Sequence, residues 1–331
     1  MSVETFLITG INGYLGLNIA KQLADYDVKV KGTMRNIKDE KKIKPVLNVS
    51  INSKQKIELV EAELLDKVSL AKAVEGCNVV LHVASPLPIE APTHENEILE
   101  PAINGTLNVL EACFNNKSIR RVVVTSSGLA VMGPEYRNDL TYNETHWGDP
   151  NTKFTYCKSK ILAEKAAWDF VAEKKAKNEK CFELCVINPT FILGPVLHDT
   201  LGVSSSRMLN VFANKLEKVP ELYFPTCDVR DVALAHIKAA SIPEAAGERI
   251  LIVSSTSFIP MIRWAQILDK EFSSKGYKIP LEEVKGEGKG KTAKIDDSKM
   301  RKILGITPID FEKTVIDMAY SLINKGFLTK P

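Results

Sequence analysis

The sequence predicts an α/β fold, in which a doubly wound parallel sheet is followed by a smaller C-terminal lobe. Short apolar runs alternate with amphipathic helical runs from the first residues to Asn188, and such alternation is typical of a parallel sheet covered by helices on both faces. The first apolar run also ends in a glycine-rich turn into a helix, at the edge where doubly wound sheets bind ligands. After Asn188 turn-forming residues break the alternation, which indicates a second lobe packed directly on the first.

The apolar pattern assigns each element in turn. In chain order we expect a strand in TFLITG, a helix in GLNIAKQLADY, strands in DVKVKGTMR and KIELVEAEL, a helix in SLAKAVEGC, a strand in NVVLHVA, a helix in AINGTLNVLEACFNN, a strand in RRVVVTSS, a long helix in TYCKSKILAEKAAWDFVAEKKAK and a strand in CFELCVINP. Later strand-like pieces such as ERILIVSS stand among helices and loops.

The turn after the first strand, TGINGYLG, carries Gly10, Gly13 and Gly16. Glycines at such a turn let the backbone approach a pyrophosphate, which the following helix N-terminus attracts. The GxxGxxG spacing is one residue looser than GxGxxG, and a tight connection without a ligand is the alternative. Its place on the first strand of an α/β pattern favours a nucleotide site.

The end of the second strand indicates which dinucleotide binds. A carboxylate there would hold the ribose 2′-hydroxyl of NAD, whereas this chain has Arg35, whose planar fork suits a 2′-phosphate. Lys38, Lys41 or Lys42 would reinforce it. The alternative is a solvated, basic helix start, which fits the lysines better than it fits Arg35. The expected cofactor is NADPH/NADP+.

Tyr156 and Lys160 stand four positions apart in a predicted helix, so their side chains share one face. An ammonium beside a phenol favours the phenolate, which would lower the tyrosine pKa and create a proton donor for carbonyl reduction. Ser127 closes a strand at the ligand edge, where its hydroxyl would hold the carbonyl oxygen. Alone, the pair is expected by chance and the serine is a common turn residue.

Composition excludes several function classes. The chain has 331 residues, 44% hydrophobic and 26% charged, and its net charge of +3 is too small to indicate a nucleic-acid surface. No apolar stretch reaches membrane-spanning length and no secretory signal is recognisable, so we expect a cytoplasmic protein that does not bind a membrane. Six scattered cysteines without CxxC, and five histidines without ligand spacing, predict reduced thiols and no metal site.

Seven motifs occur in the order seen in extended short-chain dehydrogenases/reductases. They are TGINGYLG, HVASP, NGTLNVLEAC, RRVVVTSS, YCKSKILAEKAAW, INPTFILGP and DVRDVALAHI. From about Val3 to DDSKMRKILG the chain resembles the dihydroflavonol-4-reductase-like branch, with its aldehyde and ketone reductases and 3β-hydroxysteroid dehydrogenase relatives. The resemblance implies a Rossmann dinucleotide-binding domain over 1–188 and a mainly substrate-binding lobe over 189–331, with about 226–254 returning to the Rossmann domain.

The resemblance also implies roles for individual residues. The catalytic triad would be Ser127, Tyr156 and Lys160, with Lys160 also bonding the nicotinamide ribose. The implied cofactor-binding residues are Gly10, Asn12, Gly13, Tyr14, Leu15, Gly16, Arg35, Lys42, Glu63, Leu64, Val83, Ala84, Ser85, Tyr156, Lys160, Pro189 and Thr190. Substrate would contact Ser127, Met132 and Phe191, and Asn104 would have a supporting polar role.

The chain departs from the family at a few positions. Glu63 replaces the usual aspartate after the third strand, Met132 replaces an asparagine of plant dihydroflavonol reductases, and NTKFTYCKSK replaces the NWYCYGK-like motif of cinnamoyl-CoA reductases. We therefore expect neither plant substrate. GEGKGKT at 286–292 imitates a phosphate loop, but residue 285 is lysine where glycine is required, so a solvated loop is expected. His236 is expected to be a packed histidine.

The expected function is an NADPH-dependent carbonyl reductase acting on a small aldehyde or ketone as a monomer or homodimer. The alternatives are a sugar-nucleotide epimerase/dehydratase on the same scaffold and a non-catalytic NADP-binding sensor. An uncharged, medium-sized substrate is expected because the residues flanking the inferred chemistry are apolar, unless several of them are core. They are Leu129, Val131, Met132, Phe154, Phe191, Ile192 and Leu197. Arg207 is the nearest basic candidate in sequence, and a surface-facing side chain is the alternative for it.

Overall fold

The computed structural model describes residues 3–51, 56–85, 94–213, 215–284 and 293–328, and the loop 286–292 lies outside them. Its strands are β1 Thr5–Thr9, β2 Lys29–Met34, β3 Glu58–Glu61, β4 Val79–His82, β5 Arg121–Thr125, β6 Thr141–Tyr142, β7 Glu183–Pro189, β8 Phe191–Leu193, β9 Val219–Pro220, β10 Tyr223–Phe224, β11 Thr226–Asp228, β12 Arg249–Ile252, β13 Ile259–Pro260, β14 Glu283–Val284 and β15 Lys294–Ile295. Its helices are α1 Tyr14–Leu23, α2 Glu40–Val49, α3 Lys67–Ala73, α4 Asn96–Asn115, α5 Gly128–Met132, α6 Thr155–Ala176, α7 Val203–Phe212, α8 Val229–Ser241, α9 Met261–Phe272, α10 Ser298–Leu304 and α11 Phe311–Asn324.

Seven strands form one parallel sheet in the order β12-β7-β5-β4-β1-β2-β3. Ile8 of β1 pairs with Gly32 of β2 on one side and with Leu81 of β4 on the other, and all neighbouring pairs are parallel. The chain first builds outward from β1 through β2 and β3, and then from β4 in the opposite direction. The predicted doubly wound sheet is confirmed, and its order reverses between β1 and β4, where such sheets bind ligands.

The sheet is buried on both faces because alternate residues of its strands point into different cores. Phe6 and Ile8 belong to a cluster that includes the apolar faces of α1 and α8. Leu7 and Val80 belong to a second cluster, formed with α4 and α6 on the other face. This arrangement explains why the strands read as continuous apolar runs.

A third cluster lies outside the sheet and joins α7, α9 and α11, with Phe212, Trp264 and Phe272 almost fully buried. The late strand β12 nevertheless pairs with β7 in the main sheet, and α8 packs on α1. The division at residue 188 stays a prediction. No helix in the described part of the chain is both long and apolar enough to cross a bilayer.

Candidate active site

The turn between β1 and α1 is built closely around its glycines. Gly10 has φ +67°, and a Cβ at that position would lie 3.1 Å from Ala84 Cβ. A Cβ on Gly16 would lie 2.5 Å from the Gly10 carbonyl oxygen, which no side chain tolerates. Gly13 is the N-cap of α1 and no side chain caps this helix, so the first-turn amides are left for an anion. The turn therefore fits the pyrophosphate of a dinucleotide.

The other residues predicted to contact the cofactor in this turn differ in what they present. Tyr14 donates its hydroxyl to the Gly194 carbonyl oxygen at 2.6 Å, so its side chain ties α1 to β8. Burial raises the pKa of this phenol well above its usual value. Leu15 is buried and Asn12 is half-buried. The backbone of this segment, more than its side chains, faces the ligand edge.

The β4 end of the site is held by a buried histidine that the sequence reasoning missed. Thr9 Oγ1 accepts hydrogen bonds from the Val83 and Ala84 amides, both at 3.0 Å, and lies 2.9 Å from His82 Nδ1. Because the hydroxyl oxygen already accepts two hydrogen bonds, we infer that the hydroxyl donates its own proton in a hydrogen bond to Nδ1. The single N–H of the neutral imidazole is then on Nε2. Burial and the nearby Lys160 lower the pKa of His82 to about 3, so the ring is neutral.

The side chains expected near the adenosine ribose lie at the surface. Arg35 follows β2 directly and is exposed, and no described residue forms a hydrogen bond or ion pair with it. Lys42 is exposed and pairs with Asp39 at 3.1 Å, so its ammonium already has a partner. Glu63 is exposed and Leu64 is half-buried. Arg35, like the nearby exposed Lys38 and Lys41, has no ion pair with a described residue and is available for a 2′-phosphate.

The structure brings the three predicted catalytic side chains to the same end of the sheet. Ser127 caps α5, its hydroxyl accepting from the Leu129 amide at 3.1 Å. Tyr156 lies in the first turn of α6, and Lys160 follows one turn later with only 6% of its surface exposed. The Lys160 ammonium lies 5.8 Å from the centre of the Tyr156 ring and donates to Ser85 Oγ at 3.0 Å.

The protonation states differ from the sequence expectation. Withdrawal from water raises the pKa of Tyr156 to about 12, and its hydrogen bond with Ser127 opposes this only in part. Burial lowers the pKa of Lys160 to about 8, while the charge of Glu164 acts in the opposite direction. The expected lowering of the Tyr156 pKa by Lys160 is therefore wrong. The cause is burial, which outweighs the hydrogen bond to Ser127.

A buried polar network behind the triad was also missed by the sequence reasoning. Glu164, one turn beyond Lys160, accepts from Ser126 Oγ at 2.5 Å, from Asn188 Nδ2 at 2.8 Å and from Arg249 Nε at 2.5 Å. Asn188 also donates to the Ser127 carbonyl oxygen at 3.2 Å. The network therefore joins α6, the Ser127 turn and β12. The one sign of this network in the sequence was that Glu164 follows Lys160 by four residues, a spacing that places both on one face of α6.

The other predicted site residues differ in burial and in hydrogen bonding. Pro189 ends β7 and Thr190 follows it, both in buried positions, and Thr190 Oγ1 donates to the Ile252 carbonyl oxygen at 3.0 Å. Met132 is 4% exposed and packs in an apolar cluster, so its contact with substrate stays a prediction. Asn104 is exposed on α4 and forms no hydrogen bond with the described residues.

Two further expectations concern histidine and metal. His236 is fully buried, with Nε2 2.7 Å from Thr125 Oγ1 and Nδ1 2.8 Å from the Val232 carbonyl oxygen, which confirms a packed residue. Burial lowers its pKa to about 4. Within the described ranges no group of three or more histidine, cysteine or acidic side chains is arranged to hold a metal ion.

Comparison with known proteins extends these observations. The model of the 3-beta hydroxysteroid dehydrogenase/isomerase family matches residues 7–259. Cinnamoyl-CoA reductase 1 of Arabidopsis thaliana is 33% identical, over 98% of this chain and 91% of that protein. The NADPH-dependent methylglyoxal reductase GRE2 of Saccharomyces cerevisiae is 32% identical, over 96% of this chain and 97% of that protein.

Solved structures agree with these relatives. The crystal structure of yeast methylglyoxal/isovaleraldehyde reductase Gre2 complexed with NADPH aligns with a TM-score of 0.84 at 29% identity, covering 98% of this chain and all of that one. Vestitone reductase from alfalfa (Medicago sativa) aligns with a TM-score of 0.79 at 25% identity, covering 98% and 99% of the two chains. The chain, as its resemblance to extended short-chain reductases predicted, belongs to the 3-beta hydroxysteroid dehydrogenase/isomerase family.

Proposed function

We propose that this protein is an NADPH-dependent carbonyl reductase in which Tyr156 donates a proton to the carbonyl oxygen of an aldehyde or ketone. The relatives aligned over nearly the whole chain are reductases, and one of them is named for NADPH. The chain is accordingly an NADP-dependent oxidoreductase. The observation that carries the finer proposal is the convergence of Ser127, Tyr156 and Lys160 at the edge where the strand order reverses.

Each side chain has a task that its environment supports. Bound NADPH supplies the hydride. The Tyr156 phenol, with a pKa of about 12, keeps its proton at neutral pH and can give it to the oxygen as negative charge develops there. The Ser127 hydroxyl orients that oxygen. Lys160, with a pKa of about 8, is mostly charged at neutral pH, so it stabilises the phenolate left behind.

The test of this chemistry is Tyr156→Phe, which keeps the ring and removes the proton donor. We expect kcat for a panel of aldehydes and ketones, followed by NADPH absorbance, to fall by ~10²–10⁴ while the Kd for NADPH changes little. Tyr26→Phe is the matched control, because Tyr26 is 45% exposed after α1, and it should retain wild-type turnover. Full turnover in Tyr156→Phe would assign the proton to another group.

The proposed cofactor preference depends on Arg35. Arg35→Asp places a carboxylate beside the expected 2′-phosphate, so the Kd for NADPH should rise at least about tenfold, the scale of one charge-assisted contact. Lys44→Asp makes the same charge change at an exposed position of α2 and should have a much smaller effect. Titration of NADPH and NADH into the wild type tests whether the protein prefers NADPH. Equal or tighter binding of NADH would contradict that preference.

A further inference from the structure

Arg207 is a half-buried cation that α7 places against aromatic side chains. Its guanidinium carbon lies 5.0 Å from the centre of the Phe224 ring and 5.8 Å from that of Phe191. No residue in the described ranges forms a hydrogen bond or an ion pair with it, and burial lowers its pKa. The sequence left open a surface-facing side chain, whereas the structure places the guanidinium over Phe224 and Phe191.

Other arginines of similar burial are paired. Among the described residues, three further arginines are buried or half-buried, and each contacts a carboxylate. Arg121 lies 2.8 Å from Glu183, Arg230 lies 2.7 Å from Asp228, and Arg249 lies 2.5 Å from Glu164. Partial removal of a guanidinium from water is unfavourable unless an anion compensates it. Arg207 has no counter-charge among the described residues, so an incoming anion would compensate its partial removal from water.

The chain of contacts from Arg207 leads directly to the proposed chemistry. Phe191, under the guanidinium, follows Thr190 at the end of β7. A Cβ built on Gly128, the residue after Ser127, would lie 3.2 Å from the Thr190 side-chain atom Cγ2 and 3.4 Å from the Pro189 carbonyl oxygen, so the Ser127 turn is close to the end of β7. Phe191 and Phe224 in turn pack on Trp264, at 5.8 Å and 5.5 Å between ring centres. Arg207 thus lies over an aromatic surface whose member Phe191 directly follows the residue that contacts the Ser127 turn.

The geometry also indicates the kind of anion. Stacking on aromatic rings holds the guanidinium plane, while the N–H groups at its edge stay available for a bidentate contact. In the described part of the chain, Arg207 is the one cation found over these two rings. A single guanidinium matches the single charge and planar geometry of a carboxylate, which can accept two parallel N–H hydrogen bonds.

We propose that Arg207 binds a carboxylate that the substrate carries at a distance from its reacting carbonyl group. This assignment rests on the proposed carbonyl reductase function and specifies its substrate class as carboxylated aldehydes or ketones. It reverses the expectation of an uncharged substrate, which depended on the absence of a cation beside the flanking apolar residues.

The kinetic test compares matched substrates. 4-Formylbenzoate, (4-formylphenyl)acetate and 3-(4-formylphenyl)propanoate are each paired with the corresponding methyl ester, which removes the charge at similar size. In the wild type, the acid should exceed its ester in kcat/KM for at least one length. Arg207→Met should lower that ratio at least about tenfold, and Arg207→Lys, which keeps the charge without the planar fork, should lower it less. A ratio unchanged in Arg207→Met at every length overturns the proposal.

Binding measurements separate this proposal from the carbonyl reductase proposal itself. By calorimetry, 4-(hydroxymethyl)benzoate should bind the protein, with and without NADP+, more tightly than its methyl ester, and Arg207→Met should raise the Kd of the acid at least about tenfold. If the wild type reduces no aldehyde but shows this difference, the reductase function fails and the carboxylate site stands. Equal weakening of acid and ester would show that Arg207 only supports packing, which overturns the site.

Two controls complete the design. Arg263→Met removes an exposed arginine of α9 that pairs with Glu312 at 3.7 Å, and it should leave the ratio and both Kd values unchanged. 4-Formylphenyl phosphate, as an additional aldehyde, should be reduced with lower kcat/KM than the carboxylates. The opposite order would overturn the assignment of a carboxylate.

Discussion

At the scale of single residues, the ammonium of Lys160 carries an electrostatic cost. Only 6% of the side chain is exposed, and its pKa falls from an ordinary value of 10.5 to about 8 because burial disfavours the charge. Its hydrogen bond to Ser85 and the charge of Glu164 compensate part of this cost. A lysine in this position is useful for its charge near Tyr156 and unfavourable for stability.

This cost predicts a pH dependence of stability. Between pH 8 and 10.5 the unfolded chain holds a proton on Lys160 that the folded chain has released, so stability rises with pH in that window. From pH 7 to 9.5 the free energy of unfolding of the wild type should rise relative to Lys160→Met by on the order of 1–2 kcal/mol. Urea unfolding of both proteins measures this difference. A constant difference across the range would show that the lysine pKa is not lowered.

Residue types and spacing predicted the glycine turn and the grouping of Ser127, Tyr156 and Lys160 at one end of the sheet, because each is part of a local motif, while the catalytic roles of the three side chains stay predictions. They were insufficient for Glu164 and Arg207. The partners of Glu164 include Arg249, which is 85 residues away in sequence, and the rings beneath Arg207 come from two different strands. Contacts of this kind depend on the packing of distant elements and leave no short pattern in the chain.

At the scale of elements, α6 has two functions that its sequence combines. Its first turns present Tyr156 and Lys160 to the ligand edge, and its next turn inserts Glu164 into the buried network with Arg249 and Asn188. Because the network also reaches the Ser127 carbonyl oxygen through Asn188, it fixes α6 relative to the serine turn. We therefore expect Glu164 to act as a positioning residue for the proposed triad.

Glu164→Gln should therefore affect both stability and turnover. It leaves the Arg249 guanidinium buried without its counter-charge, which typically costs about 3–5 kcal/mol. We expect a lower free energy of unfolding in urea, and kcat reduced more than the affinity for NADPH, since the helix bearing Tyr156 is less well fixed.

Glu173→Gln is the control on the same helix, because the Glu173–Lys177 pair is well exposed and should contribute less than about 1 kcal/mol. The double variant Glu164→Gln/Arg249→Met should recover part of the lost stability by removing the unpaired charge. If the single variant is as stable and active as Glu173→Gln, the network has no positioning role.

Periodicity located the strands of the main sheet and the helices α1, α3, α4 and α6, with ends shifted by a few residues. It did not locate α2, for which the sequence offered only a solvated basic helix start among the lysines, and whose segment carries Pro45. Asp39 nevertheless starts this helix by accepting from the Lys42 amide at 3.4 Å. The contrast follows from burial, because apolar periodicity is strong only where one face of an element enters a core.

At the scale of the whole molecule, the sheet is completed by residues far along the chain. The apolar face of α1 packs with α8, and β12 covers the outer side of β7. A fragment of residues 1–188 would lack both elements. It would expose the α1 face and leave Glu164 without Arg249.

We therefore expect the 1–188 fragment not to unfold cooperatively. Near-ultraviolet circular dichroism should show little fixed aromatic packing, and urea titration should give a broad transition where the complete chain gives a sigmoidal one. A sharp transition with a midpoint close to that of the complete chain would show that the first domain folds independently.

The pairing of Glu164 with Arg249 also has a consequence for protein synthesis. Ribosomes add about 5–20 residues per second, so the 85 residues between these partners correspond to roughly 4–17 s. During that interval the emerging chain holds α6 without its cation and α1 without its covering helix, and both faces are open to chaperones or to other nascent chains. Codon choice between residues 165 and 250 would set the length of this vulnerable period, although it changes no amino acid.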